Sequence, residues 1–280
     1  MKIGFIGAGK VGCTLGRHFV MHGHSVIGYY DIDKEAVEEA AKLTRTTVTR
    51  DLESIVSASD ILFITVNDSM IESVWNQIRG YNLTDMIICH CSGSLSSDIF
   101  SDIAMTGACG YSVHPLFACS SKENSYKDIS KAIFTVEGSK KRINEVVDLI
   151  ESTGNKVQKL NKEKKALYHC AAAVVSNQVL GIIKMGTDML IQCGFSEEDA
   201  TNALMPLITG NINNLEKQGL YGALTGPVER NDIITIKKHL DAITEEDAII
   251  YKNVSKKLVD IAKVKNKDRD YTDMLELLSK

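Results

Sequence analysis

Six residues near the amino terminus constrain this chain more than any others. Gly7-Ala8-Gly9-Lys10-Val11-Gly12 fits the pattern G-x-G-x-x-G. Before it stands the short strand-forming run Lys2-Ile3-Gly4-Phe5-Ile6. After it, Val11, Leu15 and Phe19 recur at the four-residue spacing of one helix face. A second strand-like run, Ser25-Val26-Ile27-Gly28-Tyr29-Tyr30, then ends at Asp31. Strand, glycine turn, helix, strand and acid follow one another in the order a dinucleotide-binding unit requires. Gly7 permits the tight turn, Gly9 lets backbone approach a pyrophosphate, and Gly12 lets the helix pack on the strand. Ala8, Lys10 and Val11 complete the loop, and the positive end of the helix faces the phosphates. Asp31 comes 31 − 12 = 19 residues after the last glycine, where a carboxylate can hold a ribose 2′-hydroxyl.

The first half continues to alternate. Asp33 is placed to cap a helix through Leu43. Ile61-Leu62-Phe63-Ile64-Thr65-Val66 and Met86-Ile87-Ile88-Cys89 are continuous apolar runs, as strands covered on both faces should be. Further strands are expected over 110–114, 133–136 and 156–160, with a helix over 140–152. The expected fold is α/β: a doubly wound, mostly parallel sheet over residues 1–160, followed by an all-α second domain over residues 161–280. Ligands of such sheets sit beyond the carboxyl ends of the strands. That draws attention to Val66, Asn67, Asp68 and Ser69, to Ser92-Gly93-Ser94, and to His114-Pro115. Val66 and Asn67 are candidates for cofactor contact, although Asp68 or Ser69 would also serve as a plain helix cap. Ser92 and Gly93 are candidates for an anionic substrate, although turn chemistry explains the same residues.

From Asn161 helix formers dominate. A nearly unbroken helix is expected from Lys162 to about Gln192, closed by Gly194. At 1.5 Å per residue it would run ~46 Å, the spine of a second domain. Later helices are expected over 196–216, 231–243 and 245–264, with Pro206 bending or breaking the first. At 100° per residue, Lys165, His169, Ala172 and Ser176 share one stripe. A lysine and a histidine next to alanines leave room for a ligand, where a core-facing helix would carry Leu or Ile. Singly, each has a blander reading, His169 as a core histidine and Lys165 as a solvated lysine. Asn177 follows the stripe. Arg230, in the turn 223–232, could clamp a carboxylate or phosphate, and a surface ion pair explains it equally well.

Composition narrows the function classes. The 280 residues carry a formal net charge of −4, and the pI is near 6.0, which excludes an obvious nucleic-acid or anionic-membrane surface. No apolar stretch is expected to reach the ~18 residues needed to span a bilayer. A strand starting at Lys2 leaves no room for a signal peptide. Seven cysteines without a C-x-x-C pair point to reduced thiols in a cytoplasmic protein rather than to disulfides or zinc. Cys89-His90-Cys91 is no metal site on a strand, since His90 faces opposite to the two thiols.

Several longer motifs carry a resemblance. The amino-terminal half is similar to the domain shared by pyrroline-5-carboxylate reductases, β-hydroxyacid dehydrogenases and deazaflavin-dependent NADP reductases. Cys91-Ser92-Gly93-Ser94, Ser112-Val113-His114-Pro115-Leu116, Tyr168-His169-Cys170-Ala171-Ala172 with Ser176-Asn177, and residues 223–232 with His239 resemble a narrower family. Those are NAD(P)-dependent oxidoreductases whose helical second domain is catalogued as a domain of unknown function. The resemblance implies a Rossmann domain, a dinucleotide cofactor and a helical, dimerising second domain. It supplies no substrate. In β-hydroxyacid dehydrogenases the interdomain-helix lysine is followed four positions later by Asn. Here Lys165 fits the lysine and His169 stands in place of the Asn.

These residues together describe an oxidoreductase that moves hydride to or from a small carbonyl, imine or hydroxy acid in an interdomain cleft. The rival is a dinucleotide-binding sensor or scaffold without turnover. Lys165 and His169 are the expected catalytic pair, with Lys165 supplying a proton. NAD is favoured over NADP, because Asp31 repels a 2′-phosphate and no Arg lies in residues 32–37. The apolar helices after Asn161 suggest a homodimer.

Overall fold

The structure, a computed structural model, describes residues 1–280. Two compact units divide the chain, Met1–Val174 and Val175–Lys280.

The amino-terminal unit is one eight-stranded sheet with helices on its faces. In chain order it contains β1 (Lys2–Ile6), α1 (Lys10–Met21), β2 (Ser25–Tyr30), α2 (Lys34–Thr44), β3 (Thr47–Val48), α3 (Leu52–Ala58), β4 (Ile61–Ile64), α4 (Asp68–Ile78), β5 (Ile87–His90), β6 (Cys109–Pro115), β7 (Ile133–Gly138), α5 (Ile143–Glu151), β8 (Lys156–Lys159) and α6 (Lys165–Ala173). The spatial order is β3-β2-β1-β4-β5-β6-β7-β8. Every neighbouring pair is parallel except β6 with β7. Strand order reverses between β1 and β4, so the crevice for a ligand opens beyond Ile6 and Ile64.

Alternation places two apolar layers on the two faces. One is built around Phe5, Phe19, Phe63, Tyr29, Cys89 and Tyr111, with Phe5 stacked on Tyr29 at 5.1 Å and on Phe63 at 5.5 Å. The other gathers Trp75, Ile64, Ile88 and Phe100. His90 packs edge-on to Phe100 on this second face, with ring centroids 5.3 Å apart, opposite to its neighbour Cys89. Asp33 caps α2 by accepting from the backbone N–H groups of Glu35 and Ala36. The short β3 and α3 have no strong signal in the sequence. Their amphipathic runs are too short to show a period.

The second unit holds α7 (Val179–Gln192), α8 (Glu197–Ala223), α9 (Ile233–Ala242), α10 (Glu245–Lys265) and α11 (Thr272–Leu277). Its own core gathers Val228, Ile236, Val259, Ala262, Tyr271 and Met274. Helix α7 ends with Gly194 at φ 97°, and the Phe195 N–H bonds back to the Leu190 carbonyl, a Schellman closure.

Three expectations need correction here. The helix running Lys162–Gln192 is not α-helical throughout, because residues Val174–Gln178 form a π turn. That turn departs from 100° per residue, so the spacing reckoned from Lys165 no longer holds beyond Ala173. Pro206 lies inside α8 without breaking it, and the non-helical residue is Gly219, at φ 70°. Lys162–Gln192 also contains an 18-residue window of mean hydropathy 1.5, long and apolar enough by length and composition to cross a membrane, with none of the window buried. The polar Ser176, Asn177 and Gln178 and the Lys184–Asp188 ion pair had masked that window in the sequence.

Candidate active site

The crevice between β1 and β4 is a groove of about 310 Å³. Gly7, Gly9, Asp31, Val66 and Asn67 line it, together with Tyr30, Ile32, Thr65 and Met70, which the sequence did not single out. Gly7 has φ 109°, and a Cβ there would lie 2.7 Å from the Thr65 carbonyl carbon, so no other residue makes this turn without strain. At Gly9 a Cβ would meet nothing within 4 Å, which leaves backbone open to an approaching phosphate. Helix α1 starts here with no side chain capping it and no acid in its first turn, so the N–H groups of its own first turn are left for a ligand. Lys10 is exposed at the mouth. These residues fit a dinucleotide pyrophosphate.

Asp31 does more than wait for a ribose. One of its oxygens accepts the Ala8 N–H at 2.7 Å and the other accepts the Asp33 N–H at 3.1 Å. The carboxylate therefore braces the glycine loop from the next strand. Each oxygen keeps a second lone pair for a ligand.

A second cluster is built where β5, β6, α4 and α6 meet. Lys165 is only 3% exposed, so it is not a solvated lysine. Its Nζ donates to the Ser92 carbonyl at 2.9 Å and to Ser112 Oγ at 2.6 Å. Burial pushes its pKa down, while Glu137, Cys91 and Asp68 push it back up. Lys162 turns away to an ion pair with Asp98 at 2.9 Å, and Lys164 is exposed.

The Ser92-Gly93-Ser94 loop is not a ready anion cradle. Both serine hydroxyls donate to one oxygen of Asp68, at 2.6 and 2.9 Å. Ser92 Oγ accepts the Ser94 and Leu95 N–H groups. The Ser92 N–H donates to His90 Nδ1 at 3.2 Å, and His90 Nε2 faces the Ser96 carbonyl at 3.2 Å. Both ring nitrogens of this fully buried imidazole are thus taken, one as acceptor and one as donor. Burial holds its pKa down at about 4, so it stays neutral. Asp68 therefore ties the loop rather than capping α4, whose N-cap is Asn67 with no side-chain bond. Asp68 and Ser112 were missed as site residues because their partners lie far off in sequence, and His90 because the loop after β5 must fold back before Ser92 and Ser96 reach its ring.

Around Gly93 two imidazoles converge. A Cβ on Gly93 would lie 2.9 Å from His114 Nε2 and 2.9 Å from His169 Nδ1, so only glycine fits between them. His114 Nδ1 meets the Tyr168 hydroxyl at 2.7 Å. Ser92, Gly93, His114, Lys165 and His169 are thus brought together. Asn177 and Arg230 belong to the second unit. Asn177 accepts from Ser176 Oγ within the π turn, and Arg230 is exposed in the turn before α9.

Comparison with known proteins agrees with this layout. Residues 1–115 match the family model of a Rossmann-like domain, and residues 132–258 match that of DUF2520, a domain of unknown function. The Bacillus subtilis protein named "Putative 6-phosphogluconate dehydrogenase YqeC" is 34% identical over 91 residues, which are 31% of this chain and 30% of that protein. The chain thus spans under a third of that relative's length. Protein TM1727 from Thermotoga maritima is similar along nearly its whole length, with 25% identity, a TM-score of 0.74, and coverage of 94% of this chain and 98% of that one. A pyrroline carboxylate reductase from Plasmodium falciparum, solved with NADP bound, shares the fold at 18% identity, a TM-score of 0.61, and coverage of 94% and 95%.

Proposed function

Because this chain joins a Rossmann-like domain to a DUF2520 domain, we propose that it is an NAD(P)-dependent oxidoreductase acting on a small carbonyl, imine or hydroxy-acid substrate. A single juxtaposition carries the reading. Asn67 lines the cofactor groove, and the next residue, Asp68, holds the loop against which Lys165 is buried. When bound, a nicotinamide supplies or accepts the hydride. The chain's part is to hold the cofactor on the α1 terminus, to seat the substrate beside Gly93, and to place the Lys165 charge near the developing negative charge. His169 orients the substrate from one side. A sensor that only bound the dinucleotide would have no use for a buried lysine, since burying that charge costs stability.

The cofactor is NAD(H) rather than NADP(H). Asp31 disfavours a 2′-phosphate, and Lys34 is the one cation in residues 32–37. Isothermal titration with NADH and NADPH tests both levels. Binding of neither overturns the function, and tighter binding of NADPH overturns the preference.

The second unit is completed by a second copy of the chain. Leu180 is 63% exposed on α7 and Leu207 is 66% exposed on α8. Ile182, Ile212 and Leu215 extend the same kind of surface, more than a monomer leaves bare. Light scattering at micromolar concentration is expected to show twice 30.8 kDa, and a monomer overturns the dimer. The unpaired cysteines, five of them at least partly buried, suit a cytoplasmic protein.

A further inference from the structure

The phenol and imidazole beside Gly93 form a chain that leads from solvent-side Tyr168 into the site. His114 lies on β6 and Tyr168 on α6. Their rings stand edge to face, with centroids 5.6 Å apart at 86°. Burial, and then the neighbouring Lys165 charge and the His169 ring, hold the His114 pKa down at about 4. Asp68 opposes them, and His90 adds slightly in the same sense. At neutral pH the ring therefore carries a single proton. Burial also raises the Tyr168 pKa, so the phenol keeps its proton, and the relay assigns that proton as the one donated to Nδ1 across 2.7 Å. An acceptor at Nδ1 places the ring's own proton on Nε2. That nitrogen is one of the two that close on Gly93.

We propose that Tyr168 and His114 form a proton relay, in which His114 Nε2–H hydrogen-bonds the carbonyl oxygen or imine nitrogen of the substrate and delivers the proton to it. His114 is then a catalytic residue and Tyr168 a positioning residue acting through it. The proposal rests on the oxidoreductase reading.

The step balances. As the new C–H bond forms, the π pair of the C=O or C=N bond moves onto the heteroatom. The heteroatom takes the proton from Nε2 while Nδ1 takes the proton from the Tyr168 hydroxyl; a proton from water then reaches Nε2 as the Nδ1 proton returns to the phenolate, which restores the starting tautomer. In the oxidative direction every transfer reverses. Lys165 Nζ lies 5.8 Å from the centroid of the Tyr168 ring, close enough for its charge to favour the transient phenolate. A neutral imidazole N–H polarises an acceptor without adding a fixed charge. The relay thus suits an uncharged carbonyl or imine at the reacting centre.

Nitrogen-15 spectra of histidine-labelled protein saturated with cofactor test the relay without needing the true substrate. The His114 signal is assigned by its loss in His114→Gln. It is expected as the Nε2–H tautomer, still neutral at pH 5.5, and the Tyr168→Phe variant is expected to populate Nδ1–H. An Nδ1–H tautomer in the wild type, or titration near pH 6.5, overturns the proposal. Turnover adds a second arm, with 1-pyrroline as the imine probe and glyoxylate as the carbonyl probe. Tyr168→Phe is expected to lower kcat about 10-fold or more, at the low end for lost acid–base help, with KM unchanged. An unchanged kcat overturns the relay, and if neither probe reacts the tautomer decides alone. Calorimetry on the same samples keeps the two failures apart. Absence of cofactor binding sinks the oxidoreductase reading, whereas a wrong tautomer with cofactor bound sinks only the relay.

Discussion

The glycine turn and the pocket around Lys165 adjoin each other at Asn67 and Asp68, yet they are built in opposite ways. The turn works through backbone. Its recognition groups are N–H donors at the start of α1, its shape comes from Gly7, and its one carboxylate, Asp31, is occupied in bracing Ala8. The pocket works through side chains brought from four elements, with Lys165, Ser112, Ser92, His114 and Asp68 sharing one connected set of hydrogen bonds and charges. A backbone site needs a local pattern and little titratable chemistry. A side-chain site needs burial, and burial shifts protonation. The two should therefore fail differently when perturbed.

Acid is the strongest way to separate them. Burial holds the pKa of His90 and His114 down at about 4, below the ordinary imidazole value of 6.5. Between those values the unfolded chain binds more protons, so stability is full above pH 6.5 and falls as the pH drops toward 4. Between pH 7 and pH 5 the loss is about 2 kcal/mol for buried His90, and less for half-buried His114. His18, also buried with its pKa lowered, adds in the same direction. Urea midpoints at pH 7, 6 and 5 measure the slope, and a flat profile would break the claim that the pocket is held by neutral imidazoles.

Gly7→Val attacks the other side. Its Cβ would press on the backbone at Thr65, and the positive φ adds strain, so a destabilisation of about 2 kcal/mol or more is expected. Cofactor binding is expected to vanish, while the acid profile keeps its shape because the histidines are untouched. A variant that still bound NADH with wild-type affinity would show that the turn is ordinary loop geometry.

Lys165→Ala should do the reverse. Turnover is expected to fall ~10²-fold, the scale of a lost charge-stabilising or acid–base group, with cofactor affinity unchanged by calorimetry. Near-normal turnover would reduce Lys165 to a scaffold for Ser92. The smallest effect is expected from Asp31→Asn. It keeps an acceptor for the Ala8 N–H and removes one charge, worth about 1 kcal/mol at ~4 Å in water. The NADH-to-NADPH preference should shift about 5-fold toward NADPH, and no shift would mean that Asp31 never faces the ribose.

Much of the amino-terminal unit was legible because its signals are local. A glycine triplet between two apolar runs, an acid at fixed spacing and an Asp33 cap each state their geometry within a few residues, and the doubly wound order follows from strands alternating with helices. Lys165 was legible as a candidate through its alanine neighbours. Its burial, and the physical origin of its lowered pKa, were not. Nor could the sequence show that Asp68 leaves its cap position to hold Ser92 and Ser94, or that His90 is pinned at both nitrogens. The Asp68 contacts span 24 and 26 residues and depend on which strands become neighbours, while those of His90, to Ser92 and Ser96, depend on the loop after the strand folding back over the ring. The helical half shows the same division. Its helices were readable from composition, while the π turn at Val174–Gln178 and the break at Gly219 leave no mark in the residue pattern. The amino acids alone thus determined the fold class and the cofactor turn. The tertiary structure decided which side chains meet at Gly93, because only folding sets the distances that make a lysine, two imidazoles and a phenol one site.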